Sequence, residues 1–225
     1  MQTPKPVLLD LFCGAGGAAR GYQNAGFKVI GVDLVDQPDY CGDEFIQGDA
    51  LQLGAELARG VAAVHASPPC PGEGTISKGT DKSLAAKHPR LIEPTRELLQ
   101  ALGLPYVIEN VNGSAVRPDV VLCGEMFGLG VLMHRKFELG GWMAPSPEHI
   151  KHRGYVRGWR HGVYRDGPYV AAYGKGGGKA TVPEMREAKG IDWTEDHLSL
   201  RDAIPPAYTE YLGKYLMAEV TRPGN

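Results

Sequence analysis

Four short apolar runs, spaced by segments of helical character, govern what the first two thirds of this chain can fold into. Val7-Leu8-Leu9-Asp10-Leu11, Lys28-Val29-Ile30-Gly31-Val32, the run 61–66 and Tyr106-Val107-Ile108 are too short for buried helices, which marks them as strands. Helices are predicted over roughly 16–25, 50–59 and 90–102; in the last, Leu91, Thr95, Leu98, Leu99 and Leu102 recur at helical spacing. Strand–helix alternation of this kind predicts an α/β fold, Rossmann-like, with a mostly parallel sheet covered by helices on both faces. Right-handed crossovers would gather the carboxyl ends of the strands, and any ligand, at one edge.

The pattern breaks near residue 140. Residues 141–180 are rich in Gly, Pro, Tyr, Trp, His and Arg and show no helical period, so 140–195 reads as a small irregular subdomain. The regular pattern resumes near Leu198, and Pro206 suits the first turn of a helix running to about 220. Residues 1–139 and 196–225 then form one domain interrupted by the small region.

The chain's 225 residues, 43% of them hydrophobic, can bury a sizeable core. No stretch approaches the roughly 18 to 20 apolar residues of a membrane helix, and Met1-Gln2-Thr3-Pro4-Lys5-Pro6 lacks a signal-peptide core. A cytoplasmic protein with no membrane partner is expected, and a monomer. The cysteines, Cys13, Cys41, Cys70 and Cys123, match neither a disulfide framework nor a zinc knuckle, so reduced thiols and no metal are expected. The formal charge of −2 conceals an asymmetry: residues 151–179 carry seven basic side chains and one acid, a local net of +6. Such a patch on an acidic body suits a polyanion, although a solvated basic loop would look the same.

Two strand ends carry chemistry. Ser67-Pro68-Pro69-Cys70 follows the run 61–66; two prolines end the strand, and a cysteine on that stiff turn is placed as a nucleophile. Ile108-Glu109-Asn110-Val111 also ends a strand and supplies a carboxyl group. A cysteine and an acid can attack and protonate one electron-poor ring. In Asp10-Leu11-Phe12-Cys13-Gly14-Ala15-Gly16-Gly17 a strand runs through a glycine turn into a helix, a weak signal for a nucleotide-like cofactor. Asp33, ending the second strand, strengthens it, because an acid there accepts ribose hydroxyls. The Asp10 carboxylate argues against a pyrophosphate and for a cationic or amine-bearing ligand.

With these residues in view, the chain resembles the DNA (cytosine-5) methyltransferases, as a compact phage or bacterial type with a short recognition region. Residues 10–17 are similar to that family's S-adenosylmethionine loop, Ser-Pro-Pro-Cys at 67–70 to its nucleophile turn, and Glu-Asn-Val at 109–111 to its protonating element. His134-Arg135-Lys136-Phe137 resembles its basic element that holds the base. The resemblance covers roughly 1–138 and 198–225, and 140–195 takes the place of the target-recognition region. It implies methyl transfer from S-adenosylmethionine to cytosine C5 in double-stranded DNA, on a flipped-out base, as in a restriction-modification system. The implied roles are Cys70 as nucleophile at C6, Glu109 at N3 and Arg135 at the base carbonyl. Asp10, Phe12, Gly14, Gly16, Gly17, Asp33, Asp49 and Pro69 would bind the cofactor, Asp49 at the adenine amino group or as a helix N-cap, or both. Lys78 and Lys82 in the loop 71–84, and Arg153, Arg157, Arg160 and Arg165, are the DNA-contact candidates. Tyr155, Trp159 and Tyr164 interleave with those arginines. Cys13 is read as packing, Cys41 and Cys123 as structural, and of the histidines only His134 falls near the chemistry.

Three departures stand out. Gln is replaced by Pro71 after the nucleophile, Met133 stands where an arginine is common, and Pro205-Pro206-Ala207-Tyr208 replaces the family's Gly-Asn-Ser-Val element. Alternatives are the same chemistry on free cytidine nucleotide, or an inactive homologue that only binds DNA. A zinc deaminase is excluded because His65-Ala66-Ser67 lacks the required glutamate and position 73 is Glu73, not cysteine. A P-loop is excluded because Tyr173 and Ala180 stand where Gly and Ser/Thr are needed.

Overall fold

The computed structural model describes residues 4–69, 90–160, 162–172 and 179–223. Its strands are β1 (Val7–Leu11), β2 (Lys28–Asp33), β3 (Glu44–Gln47), β4 (Ala63–Ala66), β5 (Tyr106–Val111), β6 (Val120–Leu122), β7 (Arg135–Gly140), β8 (Gly158–Arg160) and β9 (Val163–Arg165). The first seven form one sheet in the order β3-β2-β1-β4-β5-β7-β6, and β8 and β9 form a separate hairpin. From β3 to β5 all pairings are parallel, whereas β7 runs antiparallel to both β5 and β6. The connections reverse direction between β1 and β4, the switch point at which open α/β sheets form a ligand crevice.

Strand periodicity sorts the side chains onto two faces. Leu8, Val29, Val107, Val120, Leu122 and Phe137 point to one face and pack with Tyr22 of α1 (Gly17–Asn24) and Tyr208, Leu212 and Leu216 of α6 (Pro206–Val220). Leu9, Leu11, Val32, Val64, Ala66 and Ile108 point to the other. They meet Ala50 and Leu53 of α2 (Ala50–Leu57) and Ile92 and Leu99 of α3 (Ile92–Leu102). Each fully buried large apolar side chain contributes about 1.5–3 kcal/mol, and both faces are filled with them. The helices α1 and α6 pack closely because position 21 is glycine: a Cβ there would lie 2.2 Å from the Pro206 carbonyl oxygen.

The region 140–195 is more ordered than its composition predicts. It holds the β8–β9 hairpin and α4 (Val182–Lys189), which opens on a Thr181/Glu184 capping box and closes on Gly190 in a left-handed conformation. The apolar positions of α4, Met185 and Ala188, join Val131, Met133 and Leu200 in a third core cluster, Leu200 coming from α5 (His197–Asp202). An eight-residue helix shows too few turns for its period to stand out among the surrounding glycines and prolines. Among the described residues, no helix is long and apolar enough to cross a membrane.

Candidate active site

The carboxyl ends of β1, β4 and β5 bring polar groups onto one sheet face. Asp10 is in register with His65, and His65 with Val107, so Asp10, His65, Ser67 and Glu109 share that face. Glu109 lies opposite Phe137, and Arg135 stands two residues from Phe137 on the antiparallel neighbour. That diagonal is within reach of a long side chain, and Arg135 Nε lies 2.8 Å from Glu109 Oε1.

Glu109 is buried, and burial pushes its carboxyl above the ordinary glutamate range against the opposing pull of Arg135 and of a hydrogen bond from Ser67. His65 Nε2 lies 3.0 Å from Ser67 Oγ, and Tyr22 Oη 3.0 Å from His65 Nδ1. Burial holds the His65 imidazole neutral, with its pKa lowered to about 3. One assignment of protons satisfies every contact: Tyr22 donates to Nδ1, Nε2–H donates to Ser67, and the Ser67 hydroxyl donates to Glu109. A relay of two buried groups and the half-buried Ser67 thus leads from helix α1 to the acid. The reading of the sequence placed only His134 near chemistry, and His65 and Tyr22 escaped it. An apolar strand gives no reason to single out its one histidine until the register sets Ser67 beside Glu109.

Asn110 donates to the Pro68 carbonyl at 2.8 Å, so it braces the backbone of the Ser67-Pro68-Pro69 turn. Cys70 itself, with Lys78 and Lys82, lies outside the described residues.

The glycine turn after β1 has two functions that its sequence merges. Phe12, Gly14 and Gly16 all have positive φ, of 59°, 49° and 89°. Among the described residues, a Cβ on Gly14 would meet nothing within 4 Å. Gly17 instead sits against the chain's C-terminal part, where a Cβ would fall 2.4 Å from the Ile204 carbonyl oxygen. Trp193 Nε1–H also donates to the Ala15 carbonyl at 2.8 Å, so the residues before α6 hold the turn in place.

Near the end of β1, Asp10 is fully buried, and neither carboxylate oxygen has a hydrogen-bond partner among the described residues. Burial, with the nearby Asp33 and Glu109 charges, raises its pKa well above the usual aspartate value. Leaving a buried carboxyl unpartnered costs about 1–3 kcal/mol even when neutral, a cost that an amine-bearing or cationic ligand would remove. Asp33 accepts from Gly14 N–H at 2.9 Å and from Val35 N–H at 3.1 Å, each bond using one oxygen and leaving lone pairs for a hydroxyl. Asp49 caps α2 through Oδ1, which accepts from Leu51 N–H at 2.8 Å. Pro69 is exposed at the same edge. The donor set therefore fits a ligand with an amine and ribose hydroxyls.

The DNA-contact candidates fall into two groups. Arg153 clasps the buried Glu125 through two hydrogen bonds, of 2.7 and 3.1 Å, and Tyr169 donates to the same carboxylate at 2.6 Å. Arg157 pairs with Glu184 of α4. Both are committed to internal partners. Arg165 instead lies over the exposed Tyr155 ring, 5.0 Å from its centroid, and Trp159 and Tyr164 are exposed on the hairpin. Arg160 is the last residue of β8.

No family model matches this chain, and no curated protein does. Solved structures share its fold. One is described as a DNA modification methyltransferase encoded within an E. coli prophage, with a TM-score of 0.63 at 14% identity over 97% of this chain and 100% of that one. The Entamoeba histolytica methyltransferase EhMeth gives 0.61 at 12% identity over 98% and 100% of the two chains. The S. pombe Dnmt2 methyltransferase gives 0.57 at 14% over 97% and 100%. At these identities the likeness is one of architecture, and the chain has the α/β fold of these methyltransferases, a mostly parallel seven-stranded sheet between two layers of helices.

Proposed function

We propose that this chain is a DNA (cytosine-5) methyltransferase that uses S-adenosylmethionine. The observation that carries the reading is the buried Glu109, its pKa raised, clasped by Arg135 and Ser67 at the edge where the Ser67-Pro68-Pro69 turn leads to Cys70. Support also comes from the unpartnered Asp10 beside the left-handed turn, and from the methyltransferase folds above.

Cytosine C5 is a weak nucleophile, and addition of a thiolate at C6 turns it into an enamine carbon. Cys70 Sγ forms the bond to C6 while Glu109 supplies its proton to N3, so no negative charge builds up on the ring. Arg135, already paired with Glu109, holds the base carbonyl. S-adenosylmethionine, when bound, supplies the electrophilic methyl carbon that the activated C5 accepts, and leaves as S-adenosylhomocysteine. N3 then returns its proton to Glu109, a water-borne base takes the C5 proton, its electrons restore the C5–C6 double bond, and the bond to Cys70 breaks. Asp10 would hold the cofactor's amine, Asp33 its ribose and Asp49 its adenine amino group, while Phe12, Pro69 and the backbone of Gly14, Gly16 and Gly17 surround it. The base must leave the helix stack to reach this edge. A chain of this charge and size suits a cytoplasmic monomer acting on double-stranded DNA.

The test is incubation with tritiated cofactor and, separately, duplex DNA, RNA or dCMP. Label in duplex DNA that is lost in Cys70→Ser is expected, with a stable adduct on DNA containing 5-fluorocytosine. Label confined to dCMP or RNA would refute DNA as the substrate. Binding of DNA with no label and no adduct would identify an inactive homologue.

A further inference from the structure

Cys123, His134, His149 and His152 converge in one place, with a ligand atom from each lying within 4.8 Å of the other three. They come from three parts of the chain: the residue after β6, the residue before β7, and a His-x-x-His pair at the start of the 140–195 region. None of them takes part in the site described above.

The contacts among them are difficult to explain without a shared partner. His149 Nε2 lies 3.0 Å from His134 Nε2 and 3.2 Å from His152 Nε2. An imidazole nitrogen carries either one proton or one lone pair, so His149 Nε2 can make one good hydrogen bond and not both. A cation at the centre satisfies all three nitrogens at once. The spacing also matches a particular ion. Tetrahedral zinc, with Zn–N of about 2.0–2.1 Å and Zn–S of about 2.3 Å, separates two nitrogens by about 3.3 Å and a nitrogen from a sulfur by about 3.6 Å. Cys123 Sγ lies 3.6 Å from His152 Nε2.

We propose that Cys123, His134, His149 and His152 form a structural zinc site with one cysteine and three histidine ligands. One thiolate with three imidazoles is a donor set that zinc prefers and that calcium or magnesium does not. Four protein ligands leave no open position, which makes the ion structural rather than catalytic. The cysteine spacing alone predicts no metal, because no two cysteines stand as a ligand pair. Here a single cysteine is completed by histidines up to 29 residues away. The cysteine is buried and His149 is exposed, so the ion would sit under the surface with an entry path from solvent. Its effect would be to tie the start of the 140–195 region to the strand end that carries Arg135. The site does not depend on which reaction the protein performs.

Elemental analysis of the full chain, purified without chelator, is expected to give one zinc per molecule. After chelation, titration with cobalt(II) alone should produce tetrahedral ligand-field bands and a thiolate-to-cobalt charge-transfer band. In Cys123→Ser the charge-transfer band should vanish. His149→Ala, at an exposed position, should keep its circular dichroism and lose at least tenfold in zinc affinity. A folded full-length protein that takes up neither zinc nor cobalt stoichiometrically would overturn the proposal. So would a Cys123→Ser variant with the wild-type cobalt spectrum, or a His149→Ala variant with unchanged affinity.

Discussion

At the level of single residues, burial has opposite uses at two carboxyl groups of one edge. Glu109 has partners that keep it in place, and its raised pKa suits the proton-donor role proposed above. The rate of methyl transfer should therefore fall as pH rises through that raised value, giving an alkaline limb above the ordinary glutamate pKa of 4.5. Glu109→Gln should lower kcat by about 10²–10⁴ and remove this limb. Arg135→Ala should move the limb to higher pH, since Arg135 is the largest influence holding the pKa down. A pH–rate profile of the three proteins decides it. Asp10 has no hydrogen-bond partner among the described residues, and the folded chain keeps its proton to a higher pH than the unfolded chain, which releases it near 3.8. The folded state binds more protons over that window, so stability without cofactor falls as pH rises through it, by at most about 1.4 kcal/mol per pH unit. Asp10→Asn should flatten this dependence in thermal melts and weaken cofactor binding at least tenfold by calorimetry. Both acids stand out in the sequence as polar residues near strand ends, and the structure shows both buried. Their surroundings do not stand out, because Ser67, His65 and Tyr22 act through the pairing register, and a linear pattern does not encode which residues become neighbours.

At the level of elements, four of the five parallel strands are readable in the sequence, whereas the short, partly exposed β3 and the antiparallel strands β6 and β7 are not. Strands β1, β2, β4 and β5 are nearly uninterrupted apolar runs because both of their faces are covered. β7 reads Arg-Lys-Phe-Glu-Leu-Gly, and its charge disguises it. Glu138 in that strand is fully buried and is neutralised by Arg96 of α3, whose Nε and Nη2 donate to it at 2.8 Å each. The Arg117 backbone N–H adds a third bond at 3.0 Å. Arg96→Met would leave this charge inside without its closest counterion, and urea unfolding should show a loss of about 3–5 kcal/mol. Lys189 at the end of α4 is a related case. Burial drives its pKa down to about 7, yet its Nζ donates to the carbonyls of Leu200, Arg201 and Ala203, and three acceptors require three N–H bonds. The ammonium form fits this geometry, which ties α4 to α5.

For the molecule as a whole, the charge asymmetry seen in the sequence is partly cancelled in the fold. Arg153 and Arg157 spend their charges on Glu125 and Glu184, while Arg165 stays on an exposed aromatic hairpin. Binding to duplex DNA should weaken linearly in log–log salt titrations, and Arg165→Ala should reduce the slope by about 0.9, the value for one phosphate contact. Arg153→Ala should instead lower the melting temperature, since it strips a buried carboxylate of its partner.

The inverted direction of β7 also sets an order in time. Glu109 and Arg135 are brought together by a strand that the ribosome makes later, and at about 5–20 residues per second the arginine follows the glutamate by roughly one to five seconds. During that interval Glu109 lacks the arginine that pairs with it in the folded chain. Under the proposed function, a premature stop before position 135 would release a fragment that lacks Arg135 and the strand carrying it, and such a fragment should transfer no methyl group.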